Sequence, residues 1–491
     1  MLAMKPGLAV SLLDVPVHAP WRFREMLLES LAQDWRLVSF FGVPESQGLK
    51  VLAVLAREGQ GLRAAAMAPA KAYPALTPDC PQAHLFEREL HEQWGVMPTG
   101  HPWLKPVRYQ STRGSQPRPL PGTGDFFRME GEDLHEVAVG PIHAGVIEPG
   151  HFRFQCHGEE VFFLEIALGY QHRGVEARLV GGPDNLSLHL LETACGDTTI
   201  GHAAAYAQIL EGLGRTEIPP RAHHLRALAL ELERLANHVG DLGAMAGDVG
   251  FLPTMSFFGR LRGDFLNLTA QICGNRFGRG LVIPGGAGFD LEDQGRRAFR
   301  DRLEEIWRDV QGGANLLFDS PSVRARFEHT GPLSANQARD LGLVGPAARA
   351  CGLARDVRVD HPCGAYAQAS LVPATAQGGD VQARATVRWL EIQQSMALIR
   401  TWLDHSPRGP IAVKSGPLIP DGLVVGLTEG WRGEICHVCL TDESGCVAAY
   451  KITDPSFHNW SGLALALRGQ QISDFPLCNK SFNLSYCGHD L

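Results

Sequence analysis

Two distant stretches of this 491-residue chain hold the side chains best suited to redox or proton chemistry. The first begins at Gln171-His172-Arg173-Gly174-Val175-Glu176 and runs through a helical segment to Cys195-Gly196-Asp197-Thr198. The second is Ser485-Tyr486-Cys487-Gly488-His489-Asp490-Leu491. They are expected to face each other around a buried redox cavity. Glu176, after Arg173 and a glycine at the end of a strand, could relay protons if desolvation raises its pKa. His202, on an alanine-rich helix, and His238, near a helix end, read as packed histidines.

Other suggestive spacings carry less. Cys436-His437-Val438-Cys439 has metal-like spacing, yet it lies in a period-2 segment where positions i and i+3 point to opposite faces. A structural zinc site also needs a second ligand pair, which Cys446 alone does not supply. The run Ile283-Pro284-Gly285-Gly286-Ala287-Gly288 lacks the Lys-Ser/Thr of a phosphate loop and reads as a connection between helices. Cys80, Cys156, Cys273, Cys351 and Cys363 have no ligand-like neighbour and read as small hydrophobes.

Composition narrows the classes. Hydrophobic residues at 44% and charged residues at 20% describe a globular chain, long enough for two or three domains. A net charge of -8 gives no general attraction for nucleic acid, which is excluded as a partner. The N-terminal apolar run is short and broken by Asp14, so no export signal is expected. No window approaches the roughly 20 apolar residues of a spanning helix. Eleven cysteines without export read as free thiols or ligands.

The elements that must position these residues follow from periodicity. Phe23, Met26, Leu27 and Leu31 have helical spacing, and Leu37 to Phe41, Val51 to Ala56 and Leu62 to Met67 read as strands. An amphipathic helix from Leu85 stops at Gly95, and Gly100 to Leu104 is a turn. The Ser-, Gly-, Pro- and Arg-rich stretch from Arg108 marks a linker. Strands follow at Glu136 to Val139, His151 to Gln155 and Val161 to Glu165, the last two as a hairpin about Gly158. Long helices are expected at Asn185 to Leu213, Arg221 to Ala246, Thr254 to Phe277, Glu292 to Leu317 and Val381 to Asp404. Leu225, Leu228, Leu232 and Leu235 make the second a core-facing bundle helix. Strands near Ile411 to Lys414, Val424 to Leu427, Glu434 to Leu440 and Cys446 to Ile452 precede a last helix, Trp460 to Arg468.

Several motifs together carry a family resemblance. They are Val139-Gly140-Pro141-Ile142-His143-Ala144-Gly145, Glu148-Pro149-Gly150-His151-Phe152-Arg153-Phe154, Gly169 to Glu176, Glu231-Leu232-Glu233-Arg234-Leu235-Ala236-Asn237-His238, Asp360-His361-Pro362 and Pro455 to Trp460. This part resembles the large subunit of membrane-bound energy-converting [NiFe] hydrogenases, itself homologous to the quinone-site subunit of respiratory complex I. Phe86-Glu87-Arg88-Glu89-Leu90, Trp94-Gly95-Val96 and Gly100 to Leu104 resemble the small peripheral-arm partner subunit of complex I, fused at the N-terminus. The implied fold is α+β: residues 1-107 as a small α/β domain, 108-125 as linker, and 126-491 as a hydrogenase-large-subunit-like domain with a central helical bundle and peripheral β-hairpins.

The resemblance implies four thiolates on nickel, from two Cys-x-x-Cys pairs, and soft donors are what such a site needs. Here the nickel positions read Cys195, Thr198, Ser485 and Gly488, with Cys487 one place off, so no nickel-iron centre is expected. The hydrogenases are made with a C-terminal extension that is later removed, and this chain ends at Leu491, about where the processed form would end. The usual quinone contacts are also replaced: Ile147 falls at the histidine position, although His143 matches an earlier one, and the tyrosine position falls near Gly196. The resemblance implies an iron-sulfur small subunit with a [4Fe-4S] cluster, a ferredoxin-like subunit and integral membrane ion-pumping subunits as partners, on the cytoplasmic side of the inner membrane. No cofactor is expected on the chain itself, with a quinone as the alternative. The expected site residues are Glu176, Arg173, His143, Asp197, Asp360 and His361. The subunit either couples electron transfer to ion translocation, serves as an inactive scaffold, or reduces quinone.

Overall fold

The structure, a computed structural model, describes residues 1–45, 48–69, 71–110, 120–143 and 147–491. Residues 111–119 of the expected linker, and Ala144 and Gly145 of the first large-subunit motif, lie outside the described residues.

The N-terminal strands alternate in a way that needs two covers. Along Gly48–Arg57, Val51, Ala53 and Leu55 face one core with Phe23 and Leu27 of the helix Pro20–Leu31. Leu52 and Val54 face another core, which contains Leu423, Val425 and Val438 of the C-terminal sheet. Period-2 alternation places successive side chains on opposite faces, so a strand apolar on both sides must be sandwiched. The sheet runs Leu2–Met4, Gly61–Met67, Gly48–Arg57, Arg36–Glu45, with Val17–His18 parallel to Gly61–Met67. The helix His84–Trp94 ends, as its glycine predicts, at Gly95 in the left-handed region (φ 70°).

The C-terminal sheet is an antiparallel meander of Gly422–Gly430, Gly433–Thr441 and Val447–Thr453. Val10–Ser11 pairs with its first strand, so the N-terminal segment is woven into the larger part. Cys436 packs toward the N-terminal sheet and Cys439 toward Tyr206 and Ile209 of the helix Thr199–Leu213, as the alternation requires. Beyond that helix lies the bundle of Pro220–Asp248, Leu252–Cys273, Asp293–Asp319 and Val381–Asp404. Leu225, Leu228, Leu232 and Leu235 all enter its core. A second antiparallel sheet, Leu134–Val139, His151–His157 and Glu160–Ala167, packs Phe152 and Phe154 against Phe475.

Four expectations fail locally. The segment 185–213 is two helices, Ser187–Glu192 and Thr199–Leu213, with an irregular turn at Cys195 to Thr198. Hydrophobic period alone does not show this break, which Arg173 braces from outside by donating to the carbonyls of Thr193 (2.8 Å) and Ala194 (2.9 Å). Ile411 to Lys414 forms no strand and makes only a bridge between Gly286 and Ala412. Glu176 sits in the first turn of a short helix, Val175–Leu179, rather than at the end of a strand. Pro455–Ala466 is not the last helix, since Phe475–Phe482 and Tyr486–His489 follow. They are too short to carry a long periodic signal.

Candidate functional site

The break in the 185–213 segment brings three side chains into one place. Cys195 Sγ lies 3.1 Å from Ser485 Oγ, 3.4 Å from Thr198 Oγ1 and 3.2 Å from Asp197 Oδ1. The two stretches singled out from sequence therefore do meet. Further along, the backbone N–H groups of Gly169 and Gln171 donate to the Asp490 carboxylate at 2.8 and 3.0 Å.

Beside Cys195 the space between them is filled by a side chain, whereas between Glu176 and Leu491 it is open as a pocket. Residues 431 and 432 form the two-residue turn joining Gly422–Gly430 to Gly433–Thr441. Gly433 (φ 132°) lets that turn press on Gly345, whose backbone nitrogen would be 2.7 Å from any added Cβ. The turn delivers Arg432, which donates to Asp197 at 2.5 and 2.7 Å and to the Asn483 carbonyl at 2.5 Å. Its guanidinium also lies 3.3 Å from both Cys195 Sγ and Thr198 Oγ1. Trp431 Nε1 donates to Thr198 Oγ1 at 3.1 Å. Burial opposes ionisation of Asp197, but the guanidinium outweighs it and brings the carboxyl down to about 2.

Gly488 is fixed by its neighbour. Its N–H donates to Ser485 Oγ (2.9 Å), and a Cβ there would lie 2.7 Å from the Asp454 carboxyl carbon. Asp454 caps the helix Pro455–Ala466 through Ser456 N and also accepts from His202 Nε2 at 3.1 Å. The second His202 nitrogen meets His437 Nε2 at 3.0 Å, and His437 Nδ1 meets Tyr450 OH at 2.8 Å. A continuous hydrogen-bonded chain thus runs Asp454–His202–His437–Tyr450. Burial holds His437 well below the usual histidine range. His202 is therefore a link in a polar chain rather than packing alone. His238, read the same way, donates from Nε2 to the Glu391 carboxylate at 2.8 Å.

Tyr450 opens on a pocket of about 130 Å³ whose lining includes Trp94, His172, Glu176, Lys451 and Leu491. There Glu176 accepts from Ile452 N (3.0 Å) and pairs with Lys451 (3.1 Å) and Arg108 (3.3 Å). Both cations also bind Glu89, at 2.6 and 2.5 Å, and Arg108 reaches the His489 carbonyl at 2.9 Å. On the other side, Glu233 accepts from Ile200 N and Gly201 N at 2.7 and 3.2 Å. Burial still pushes its carboxyl up to about 8.

The six residues expected from sequence thus fall in separate places. Asp197 is in the thiol pocket, Arg173 splints the chain break, and Glu176 is in the adjoining pocket. His143 is held by the Gly150 carbonyl at 2.9 Å. Asp360, pushed up to about 6 by burial, and His361 lie near Arg36 and Glu58. Sequence reasoning missed Arg432, Asp454 and Lys451, and weighed His437 only within the metal-like spacing of Cys436 to Cys439. The adjacent Trp431-Arg432-Gly433 between two strand patterns, and Asp454 before Pro455 as a helix cap, were the available signals.

Residues 19–120 match the family described as the respiratory-chain NADH dehydrogenase 30 Kd subunit, and residues 248–419 the 49 Kd subunit. Formate hydrogenlyase subunit 5 of Escherichia coli (strain K12) is 32% identical over 434 residues, covering 84% of this chain and 76% of its own. The carbon monoxide-induced hydrogenase of Rhodospirillum rubrum is 33% identical over 350 residues, 71% of this chain and 97% of its own. The C/D component of the NADH-quinone oxidoreductase of Gluconacetobacter diazotrophicus is 26% identical over 477 residues, 85% and 79% respectively.

Proposed function

The chain belongs to the family that unites large subunits of energy-converting hydrogenases with the fused 30- and 49-kDa subunits of NADH-quinone oxidoreductase, and on that premise we propose that it is a peripheral subunit of a membrane-associated redox complex without a nickel-iron centre. In this reading it couples electron transfer in an adjacent iron-sulfur subunit to ion translocation by membrane subunits, on the cytoplasmic face of the inner membrane. Among the described residues no helix is long and apolar enough to cross a membrane, so contact with the bilayer would come through partners.

The observation that carries this reading is Arg432. A nickel-iron group needs soft thiolates around an open position. The corresponding positions here offer the Cys195 thiol, the hydroxyls of Thr198 and Ser485, and no side chain at Gly488, where Asp454 leaves no room. A guanidinium already paired with Asp197 stands 3.3 Å from the thiol. The residues present do not fit the group. Metal analysis and hydrogen-uptake assays on the purified complex test this: less than a tenth of a nickel per chain is expected, and one nickel per chain overturns it.

Coupling is supported by two acids poised near neutrality, half-buried Glu233 at about 8 and buried Glu429 at about 7, both raised by desolvation. Their charge can respond to a change of charge in a neighbouring cluster. The same filled pocket favours a second reading, an inactive scaffold. Reductant-driven ion uptake by vesicles containing the complex separates the two: Glu233→Gln should lower uptake several-fold if the acids couple, and unchanged uptake in an assembled complex favours the scaffold. Quinone reduction has weaker support, because His143 Nε2 is spent on the Gly150 carbonyl.

A further inference from the structure

Cys195 and Cys487 lie 292 positions apart in sequence, yet one hydroxyl, that of Ser485, touches both thiols. Both are free, and Ser485 Oγ touches both, at 3.1 and 3.4 Å. Cys436 and Cys439, much closer in sequence, point into opposite cores and cannot meet. Neither Cys195 nor Cys487 takes part in the proposed coupling. We propose that Cys195 and Cys487 form a reversible dithiol-disulfide pair that exchanges with low-molecular-weight disulfides.

The environment assigns the two sulfurs different parts. Cys487 is the more accessible, 7% exposed against 1% for Cys195. The attacking sulfur must be the one an incoming disulfide can reach, so Cys487 is the nucleophile and Cys195 the resolving thiol. In the first step the Cys487 thiolate attacks one sulfur of the small disulfide, forming a mixed disulfide and releasing one small thiolate. In the second, Cys195 loses its proton and attacks Cys487 Sγ, forming the Cys195–Cys487 bond and releasing the second small thiolate. The protein loses two electrons and the small disulfide gains them. The bond would tie the C-terminal segment to the Cys195 turn and remove the thiol facing Arg432.

This inference rests on the absence of nickel, since a metal would occupy the same sulfur. The test uses the purified complex incubated in glutathione buffers of graded ratio, acid-quenched, differentially alkylated and mapped by peptide mass spectrometry. With oxidised glutathione in excess, a linked Cys195–Cys487 peptide should exceed half of the chains and revert in dithiothreitol. It should be absent from Cys487→Ser and unchanged in Cys156→Ser, whose thiol lies in the 152–156 sheet core. Free thiols at both positions across all ratios, or glutathione retained on Cys487 without the link, overturns the proposal. Nickel measured on the same sample keeps the outcomes apart: stoichiometric nickel overturns the reading of the subunit, whereas unlinked thiols without nickel overturn the pair alone.

Discussion

Arg432 donates to both carboxylate oxygens of Asp197, at 2.5 and 2.7 Å, and in doing so holds its guanidinium 3.3 Å from Cys195 Sγ. The pair fills the Cys195 end of the space between the two chemistry-bearing stretches with fixed charge.

Removing one member leaves the other buried and unpaired, which costs more than removing both. Arg432→Ala should lower stability by about 2–3 kcal/mol, below the usual figure for a fully buried pair because the Asp197 side chain is 31% exposed. The double variant Arg432→Met/Asp197→Asn should recover most of that. Urea denaturation of the three proteins measures the coupling.

Gly488 and Gly196 make a matched pair of glycines at the two stretches. An added methyl at 488 meets the Asp454 carboxylate at 2.7 Å, whereas at 196 it meets nothing within 4 Å. Gly488→Ala should cost about 1–3 kcal/mol by overpacking, and Gly196→Ala should stay within about 0.5 kcal/mol as a change without contacts. Thermal unfolding midpoints decide, and equal effects would contradict the geometry.

Glu233 sets a pH dependence of definite sign. Its carboxyl is raised to about 8 in the folded protein, so between the unfolded value near 4.5 and about 8 the folded state binds more protons than the unfolded. Stability from this group is therefore full below about 4.5 and is lost as pH rises through about 8. Relative to wild type, Glu233→Gln should gain stability steadily between pH 5 and 8 and show no further relative gain above about 9. A constant difference across that range would remove the raised pKa.

Arg36 joins the N-terminal sheet to the C-terminal sheet by a bidentate bond to Glu434, one arm at 2.6 Å, with side chains 7% and 3% exposed. Arg36→Ala should cost about 3–4 kcal/mol by stranding Glu434. Urea denaturation of the variant measures the loss.

The long helices, the strands and their stop signals were legible in the sequence because each depends on local period and on residues such as Gly95 and Pro220 that act where they stand. The meeting of Cys195 with Ser485 was legible too, but only through resemblance. Tertiary structure alone decided what fills the space between them. Arg432, Asp454 and His437 arrive from a hairpin turn, a helix cap and a strand that sequence separates from Cys195 by more than two hundred positions. The charges of Arg432 and Asp197 are paired because burial makes an unpaired ion too costly to leave alone. Residue types fixed which chemistry was available, and packing decided that thiol, guanidinium and carboxylate would share one place.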